Sequence, residues 1–347
     1  MAKQASARRK HIVPPDIPKQ MKAAAIDRFG PPSVLKRHEL PVPEPGPREV
    51  LIALDTAGVG GWDASIRDGS WRKPGRPRFP LIPGTDGAGI VAAKGARVRR
   101  FRVGDRVYAY EFGNHHGGFY AEFAVADASH VGRVPKGLDL RDAGAVAATG
   151  LTALQGIDAL RLRPGHTVLI FGASGAVGTL AVQFAAQRGA RVIATASGQA
   201  ASRMVRTLGA GRVIDARRDD AIEQLRKRAR DGDGLDAVLA LAGGDQLERC
   251  LDFVRPRGRV VYPNGIEPVP KPRPAFRVAS YDAVADPREF EKLNRHLLRM
   301  RVRVPIAATY PLAKAAQAHR RLDRGQVLGR IVLRASSLER DPSRAVS

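Results

Sequence analysis

The segment "VLIFGASGAVG", Val168 to Gly178, constrains this chain more than any other. An apolar run leads straight into Gly172, Gly175 and Gly178, spaced three apart. Beyond the turn, Val177, Leu180, Ala181, Phe184 and Ala185 share one helical face, and Gly189 ends the run. The pattern is a buried strand, a bare turn and a helix N-terminus. There the first backbone N–H groups lack partners and the helix dipole favours negative charge. Gly175 lets the backbone approach a pyrophosphate, and Gly178 lets the helix pack closely on the strand. A lone glycine pattern is weak evidence, but more strand–helix units follow this one. Strands "RVIATA", "RVIDA", "AVLALA" and "RVVYPN" are separated by helices "AASRMVRTLGA", "DAIEQLRKRAR" and "DQLERCLDFV". That alternation requires right-handed crossovers and a parallel sheet, and all-apolar strands suit a sheet covered on both faces. The unit is expected to bind a dinucleotide.

Which dinucleotide depends on the second strand. NAD-binding units carry an acid about twenty residues on, to hold the ribose 2′-OH. Arg191 to Ala210 contains no Asp or Glu. It offers Thr195 and Ser197 near the strand end and Arg203 in the next helix. Hydroxyls and a guanidinium suit a 2′-phosphate, which a carboxylate would repel, so NADP(H) is expected.

The rest of the chain has another period. Its 347 residues exceed one compact core, so two domains are expected. From Met21, segments such as "MKAAAIDRFG", "EVLIALDTAGV", "GTDGAGIVAAKG", "GDRVYAYEF" and "AEFAVADASHVGRVP" read as short strands. Gly and Pro punctuate them about every eight to twelve residues, the spacing of a small antiparallel barrel. Near Arg141 the period turns helical, through "LRDAGAVAATGLTALQGIDAL". After helix "PREFEKLNRHLLRM" come a strand-like "VPIAATYPL", a helix "AKAAQAHRRL" and a last strand "GRIVLRA". The expected organisation is a flexible basic tail over 1–20, a first domain over 21–141, a dinucleotide-binding domain over 142–301, a return segment over 302–336 and a polar tail over 337–347.

Composition sets limits. No apolar run is long enough to span a bilayer, and no membrane partner is expected. The first twenty residues lack the apolar core of a secretory signal, and their prolines would break the amphipathic helix of a transit peptide. One cysteine, Cys250, cannot close an intrachain disulfide, so a reducing cytoplasm is expected. Cys250 reads as a small buried hydrophobe among Leu247, Leu251 and Val254. The net charge is +24. It motivates nucleic-acid binding, above all through the tail "KQASARRKH", but the arginines are scattered and lack interleaved aromatics. A solvated basic surface is the preferred reading.

Several of these motifs together resemble the medium-chain dehydrogenase/reductase superfamily. The opening "MKAAAIDRFGPPSVLKRHELPVPEPGPREVLI", "PGTDGAGIV", "GDRVYA", "GGFYAEF", "GLTALQGI", the glycine turn and the closing "AHRRLDRGQVLGRIVL" occur in the family's order over about Met21 to Arg334. Within it the chain resembles the zinc-free, NADPH-dependent quinone oxidoreductase branch. The implied fold is α/β, with a GroES-like, partly open β-barrel catalytic domain built from both chain ends and a Rossmann doubly wound parallel sheet between them. Zinc relatives carry a cysteine where this chain has Gly60, and a His-Glu pair where it has Thr85 and Asp86; Thr149 stands where a further ligand would sit. No metal is expected.

The resemblance implies hydride transfer from NADPH to a quinone or a conjugated alkene or carbonyl. Conjugation spreads the developing charge, so hydrogen bonds can replace a Lewis acid. The alternatives are a zinc-free acyl-thioester (enoyl) or aldehyde reductase, or a non-catalytic NADPH- or RNA-binding relative. Cofactor contacts are expected from Thr149, Ala173, Ser174, Gly175, Ala176, Val177, Gly178, Ser197, Arg203, Ala242, Gly243, Pro263, Asn264, Gly329 and Arg330. Asp63 and Arg67, four apart on one helical face, resemble the family's Asp-x-x-x-Arg-x-Gly motif beside the cleft; an N-cap with a local ion pair is the plainer reading. Tyr108, Tyr110 and Tyr120 flank "EFGNHHGGF" and are candidate proton donors, with Tyr110 and Tyr120 preferred. His115 and His116 are adjacent, which reads as an exposed loop and as poor geometry for one metal. Trp62 and Trp71 are candidates for an aromatic substrate wall or for packing. The segment "PAFRVASYDAV" is the expected edge strand of a homodimer.

Overall fold

In a computed structural model the structure describes residues 16–70, 78–215, 234–299 and 302–335, with Arg218, Ile222, Glu223, Leu225 and Arg226. Trp71, both tail ends and most of the helix expected over 220–230 lie outside the described residues.

Thr167 to Tyr281 builds the parallel sheet. Its strands are β8 (Thr167–Phe171), β9 (Arg191–Thr195), β10 (Arg212–Ile214), β11 (Leu235–Ala240), β12 (Val254–Pro263) and β13 (Arg277–Tyr281), in the order β10-β9-β8-β11-β12-β13. All these pairings are parallel. The order reverses between β8 and β11, and that switch point opens a crevice beyond the strand C-termini. Val168, Ile170, Ala237 and Leu239 face one side with the helix α3 (Ala176–Gln187), whereas Leu169, Val238 and Ala240 face the other with Leu247 and Leu251. Both faces are covered, as the apolar strands require. β13 is the outer edge of the sheet.

The second sheet has seven strands: β14 (Ile306–Pro311), β15 (Arg330–Arg334), β3 (Glu49–Val59), β4 (Asp86–Lys94), β5 (Arg106–Tyr110) and β7 (Val131–Arg133) succeed one another, and β6 (Phe123–Asp127) pairs β3 off that path. β1 (Gln20–Ala25) and β2 (Lys36–Pro41) form a separate antiparallel pair. β15 comes from the far end of the chain and pairs antiparallel with β3, Ile331 against Val59. This sheet encloses a core that includes Leu51, Phe101, Phe119, Tyr120 and Ile331.

One long helix, α2 (Leu140–Ala159), joins the two parts. Asp139 caps it by accepting from Asp142 N–H. It packs on β3, β4 and β5 and also on α3. Ala88 and Tyr108 of the barrel sheet accordingly share a core with Leu151, Leu154 and Ile170. Among the described residues no helix is long and apolar enough to cross a membrane.

Candidate functional site

The glycine turn has the local geometry its sequence requires. Gly172 has φ +85°, a conformation that other residues rarely adopt. A Cβ on Gly178 would lie 2.3 Å from the Gly172 carbonyl oxygen, so helix and turn touch backbone to backbone. A Cβ on Gly175 would meet only that oxygen, at 3.6 Å. Gly175 precedes α3 and no side chain caps the helix there. The turn is thus an uncapped helix N-terminus with a bare approach, which fits the pyrophosphate of a dinucleotide. The C-terminal segment closes over it: Gly329 N–H donates to the Ser174 carbonyl at 2.9 Å, and Gly329 bridges Gly175.

Most of the other expected cofactor residues follow the C-terminal ends of the parallel strands. Ala173 to Gly178 follow β8, Ser197 follows β9, Ala242 and Gly243 follow β11, and Pro263 and Asn264 end and follow β12. Arg203 is exposed in the helix α4 (Gln199–Thr207). Thr149 is buried, and its hydroxyl donates to the Ala145 carbonyl at 2.7 Å. Sequence reading missed Asp215. It lies beyond the acid-free window, at the end of the next strand, yet it accepts from the Ser197 hydroxyl at 3.0 Å and from Gly198 N–H at 3.3 Å. A carboxylate therefore stands beside Ser197, one of the residues expected at the ribose 2′ position.

The facing wall is built from α1 (Gly61–Asp68) and β4. Asp63 is fully buried. It turns back on the start of its own helix and accepts from Gly60 N–H at 2.7 Å. Thr85 and Tyr120 hydroxyls donate to it, each at 3.3 Å. Asp63 and Arg67 do not form the local ion pair that their spacing allows. Arg67 points the other way, donating to the Gly30 carbonyl at 3.1 Å and to Asp323 at 3.3 Å, and lying 3.0 Å from His319 Nδ1.

Arginine only donates, so His319 Nδ1 is an acceptor and its Nε2 carries the proton. That N–H donates to the Tyr120 hydroxyl at 2.9 Å. A directed chain runs from Arg67 through His319 and Tyr120 to Asp63. Burial and then the Arg67 charge depress the His319 pKa to about 3, so the ring stays neutral. Burial, reinforced by nearby Asp86 and offset by Arg330, raises the Asp63 carboxyl to about 6. Burial first, then the Asp63 charge, holds the Tyr120 hydroxyl well above its ordinary range.

Asp86 is also fully buried and pairs with Arg330 at 2.6 Å. Its second oxygen accepts from Ala148 N–H of α2 at 3.1 Å. A Cβ on Gly58 would lie 2.3 Å from Arg330 Nη2, and one on Gly60 2.7 Å from Nη1. The two glycines make room for the guanidinium, which fills the space a side chain at position 60 would take. A cation there, with Thr85 and an already paired Asp86, does not fit a catalytic zinc. Arg330 was expected at the cofactor; its neighbour Gly329 touches the glycine turn, but its own side chain is turned onto Asp86.

The three tyrosines separate. Tyr108 donates to Asn294 at 2.7 Å and packs edge-on to Phe290, as core. Tyr120 is sealed in the buried chain. Tyr110 is partly exposed and sits opposite Asp86 in the β4–β5 pair. Burial chiefly, then the charges of Asp86, Asp282 and Asp63, raise its hydroxyl to about 12. Asp282 follows β13 of the parallel sheet and Asp86 starts β4 of the barrel, so Tyr110 feels charge from both sheets. Trp62 packs edge-on to Phe112 and lies against Gly265, beside Asn264. His115 and His116 are held as a pair by Glu49, which lies far upstream in the sequence. Cys250 is buried as expected, and burial pushes its thiol up to about 11.

Two family models match: a zinc-binding dehydrogenase model over residues 176–279 and an alcohol dehydrogenase GroES-like domain over 46–136. Quinone oxidoreductase from Mus musculus is 31% identical over 315 residues, covering 87% of this chain and 93% of its own. A mycobacterial protein solved with NADPH superposes with a TM-score of 0.79 at 28% identity, over 90% of this chain and 99% of its own. An NAD-dependent alcohol dehydrogenase gives 0.83 at 30% identity, over 90% and 99%. With the parallel sheet, the glycine turn and the returning β15 in place, these likenesses make the chain a member of the medium-chain dehydrogenase/reductase superfamily, in its quinone oxidoreductase-like branch.

Proposed function

We propose that this oxidoreductase transfers a hydride from NADPH to a quinone or another conjugated alkene or carbonyl, without zinc. The observation that carries the reading is the Arg330 guanidinium, fixed on Asp86 in the space beside Gly60. A site that holds a cation there has no place for a Lewis-acid metal and suits an acceptor that spreads its own charge. The dinucleotide, when bound, supplies the hydride. The chain supplies the rest: N–H groups of Ala176, Val177 and Gly178 face the pyrophosphate, Ser197 and Arg203 face the 2′-phosphate, and Gly243, Pro263 and Asn264 receive the nicotinamide end.

Tyr110 is the hydrogen-bond donor to the substrate oxygen, because it is the partly exposed tyrosine of the three, it pairs in register with Asp86, and its phenol is protonated at neutral pH. Asp63, Tyr120, His319 and Arg67 are positioning residues that hold the Gly60 turn. The working unit is a cytoplasmic homodimer paired through β13, whose outer edge is open in the single chain.

A panel of a para-quinone, an enone, an enoyl thioester and a simple aldehyde, each with NADPH, tests the substrate class. Turnover on the first two with little on the aldehyde supports the reading; the reverse order sinks it. Tyr110→Phe should lower kcat with the quinone by about a hundredfold, the usual effect of losing one such donor. Asp215 favours a second reading, NADH as the preferred cofactor, since a carboxylate beside Ser197 suits a free 2′-OH.

A further inference from the structure

The loop after β5 brings three metal-ligating side chains together. His116 Nε2 lies 3.0 Å from Glu49 Oε2, and His115 Nε2 lies 3.9 Å from Glu49 Oε1. One ligand atom from each residue lies within 4.8 Å of the others. Metal–nitrogen and metal–oxygen bonds of about 2.0–2.2 Å in a tetrahedron put donor atoms roughly 3.3–3.6 Å apart, between the two separations seen. Adjacent histidines look unsuited to one ion, yet here both Nε2 atoms turn to the same carboxylate, and the ring centroids are 4.0 Å apart.

The cluster is built, not a chance encounter of mobile side chains. Glu49 begins β3, its backbone pairs with Asp127 of β6, and its Oε2 accepts from Gly46 N–H at 2.7 Å. Asn114 donates to the Val125 carbonyl at 2.6 Å and accepts from His116 N–H at 3.0 Å, which sets the loop against β6. Asp127, the register partner of Glu49, adds a second carboxylate on that face of the sheet.

We propose that Glu49, His115 and His116 bind a divalent transition-metal ion of the zinc class, with the remaining position open to water. Two imidazoles and one carboxylate are a ligand set suited to zinc, nickel or cobalt(II). The ion cross-links the β5–β6 loop to β3. The same loop carries Phe112 against Trp62, so the tether reaches the wall of the crevice at Gly265. The site stands apart from Arg330 and does not serve hydride transfer.

The test uses the full chain, stripped with a chelator and titrated with zinc chloride by calorimetry and with cobalt(II) chloride by visible absorption. One saturable equivalent is expected, with a raised Tm. Losing an outer-shell partner alone weakens metal sites about 10–100-fold, so His115→Ala and His116→Ala should each weaken binding by at least about tenfold. His115 is exposed, so its variant tests the site without disturbing the fold. His38→Ala, at a histidine paired with Asp27 instead, should bind as the parent does. Absence of a saturable equivalent, or equal affinity in the His115→Ala and His116→Ala variants, would overturn the proposal.

Discussion

The two walls of the crevice are made in different ways. The parallel-sheet edge is made of backbone: turns after β8, β9, β11 and β12, each a few residues long, with bare glycines and an uncapped helix. The barrel wall is made of side chains drawn from distant segments. Arg67 meets His319 across 252 positions and Arg330 meets Asp86 across 244. The first wall is tolerant in side chain and strict in backbone; the second is the reverse. A dinucleotide presents the same phosphates in every relative, whereas the acceptor differs, and side chains are the easier part to vary.

The largest expected effect tests the side-chain wall. Arg330→Met leaves Asp86 buried without its partner and should cost about 3–5 kcal/mol by denaturant unfolding. An Asp86→Asn/Arg330→Met double variant should lose less than Arg330→Met alone. Equal losses would mean that the ion pair is not the buried unit described. On the backbone wall, Gly178→Val drives a side chain into the Gly172 carbonyl. It should cost about 1–3 kcal/mol and weaken dinucleotide binding, while the barrel keeps its fold.

The difference between the walls also explains what could be read in advance. The glycine turn and the alternating strands follow from local period, and β8 to β13 form a parallel sheet as that alternation requires. The return of "GRIVLRA" to the barrel was implied by the family resemblance alone, and β15 does pair with β3. Asp63 was recognisable by its motif, but its environment was not. Spacing on α1 pointed to Arg67, whereas Asp63 hydrogen-bonds to Gly60, Thr85 and Tyr120. His319 and Asp323 carried no local signal, since their partner is on another helix. Asp215 carried no signal because it follows the neighbouring strand, five positions beyond Ala210. Glu49 was missed for the same kind of reason: its partner His116 is 67 positions away.

A smaller effect sharpens the comparison through pH. Asp63 has a folded pKa near 6, raised from 3.8 mainly by burial. Between those values the folded chain keeps a proton that the unfolded chain releases. The stability contribution of this group is therefore best at low pH, falls as pH rises, and reaches its full penalty above about 6. Comparing unfolding of the parent and Asp63→Asn at pH 5 and 7.5, the variant should gain on the parent as pH rises, by an amount of order 2 kcal/mol. A pH-independent difference would remove Asp63 as the titrating group. The smallest effect concerns cofactor choice. Asp215→Asn removes a charge near the ribose corner and should shift the NADPH-to-NADH ratio of kcat/KM toward NADPH by roughly fivefold, about 1 kcal/mol. Arg203→Ala should shift it the other way.

The most direct measurement is NADPH oxidation with a simple para-quinone, using chelator-dialysed protein and running NADH in parallel. Rapid loss of NADPH absorbance is expected, with a much slower loss with NADH and no gain on adding zinc. Turnover that appears only after zinc is restored, or no turnover with either cofactor, would contradict it.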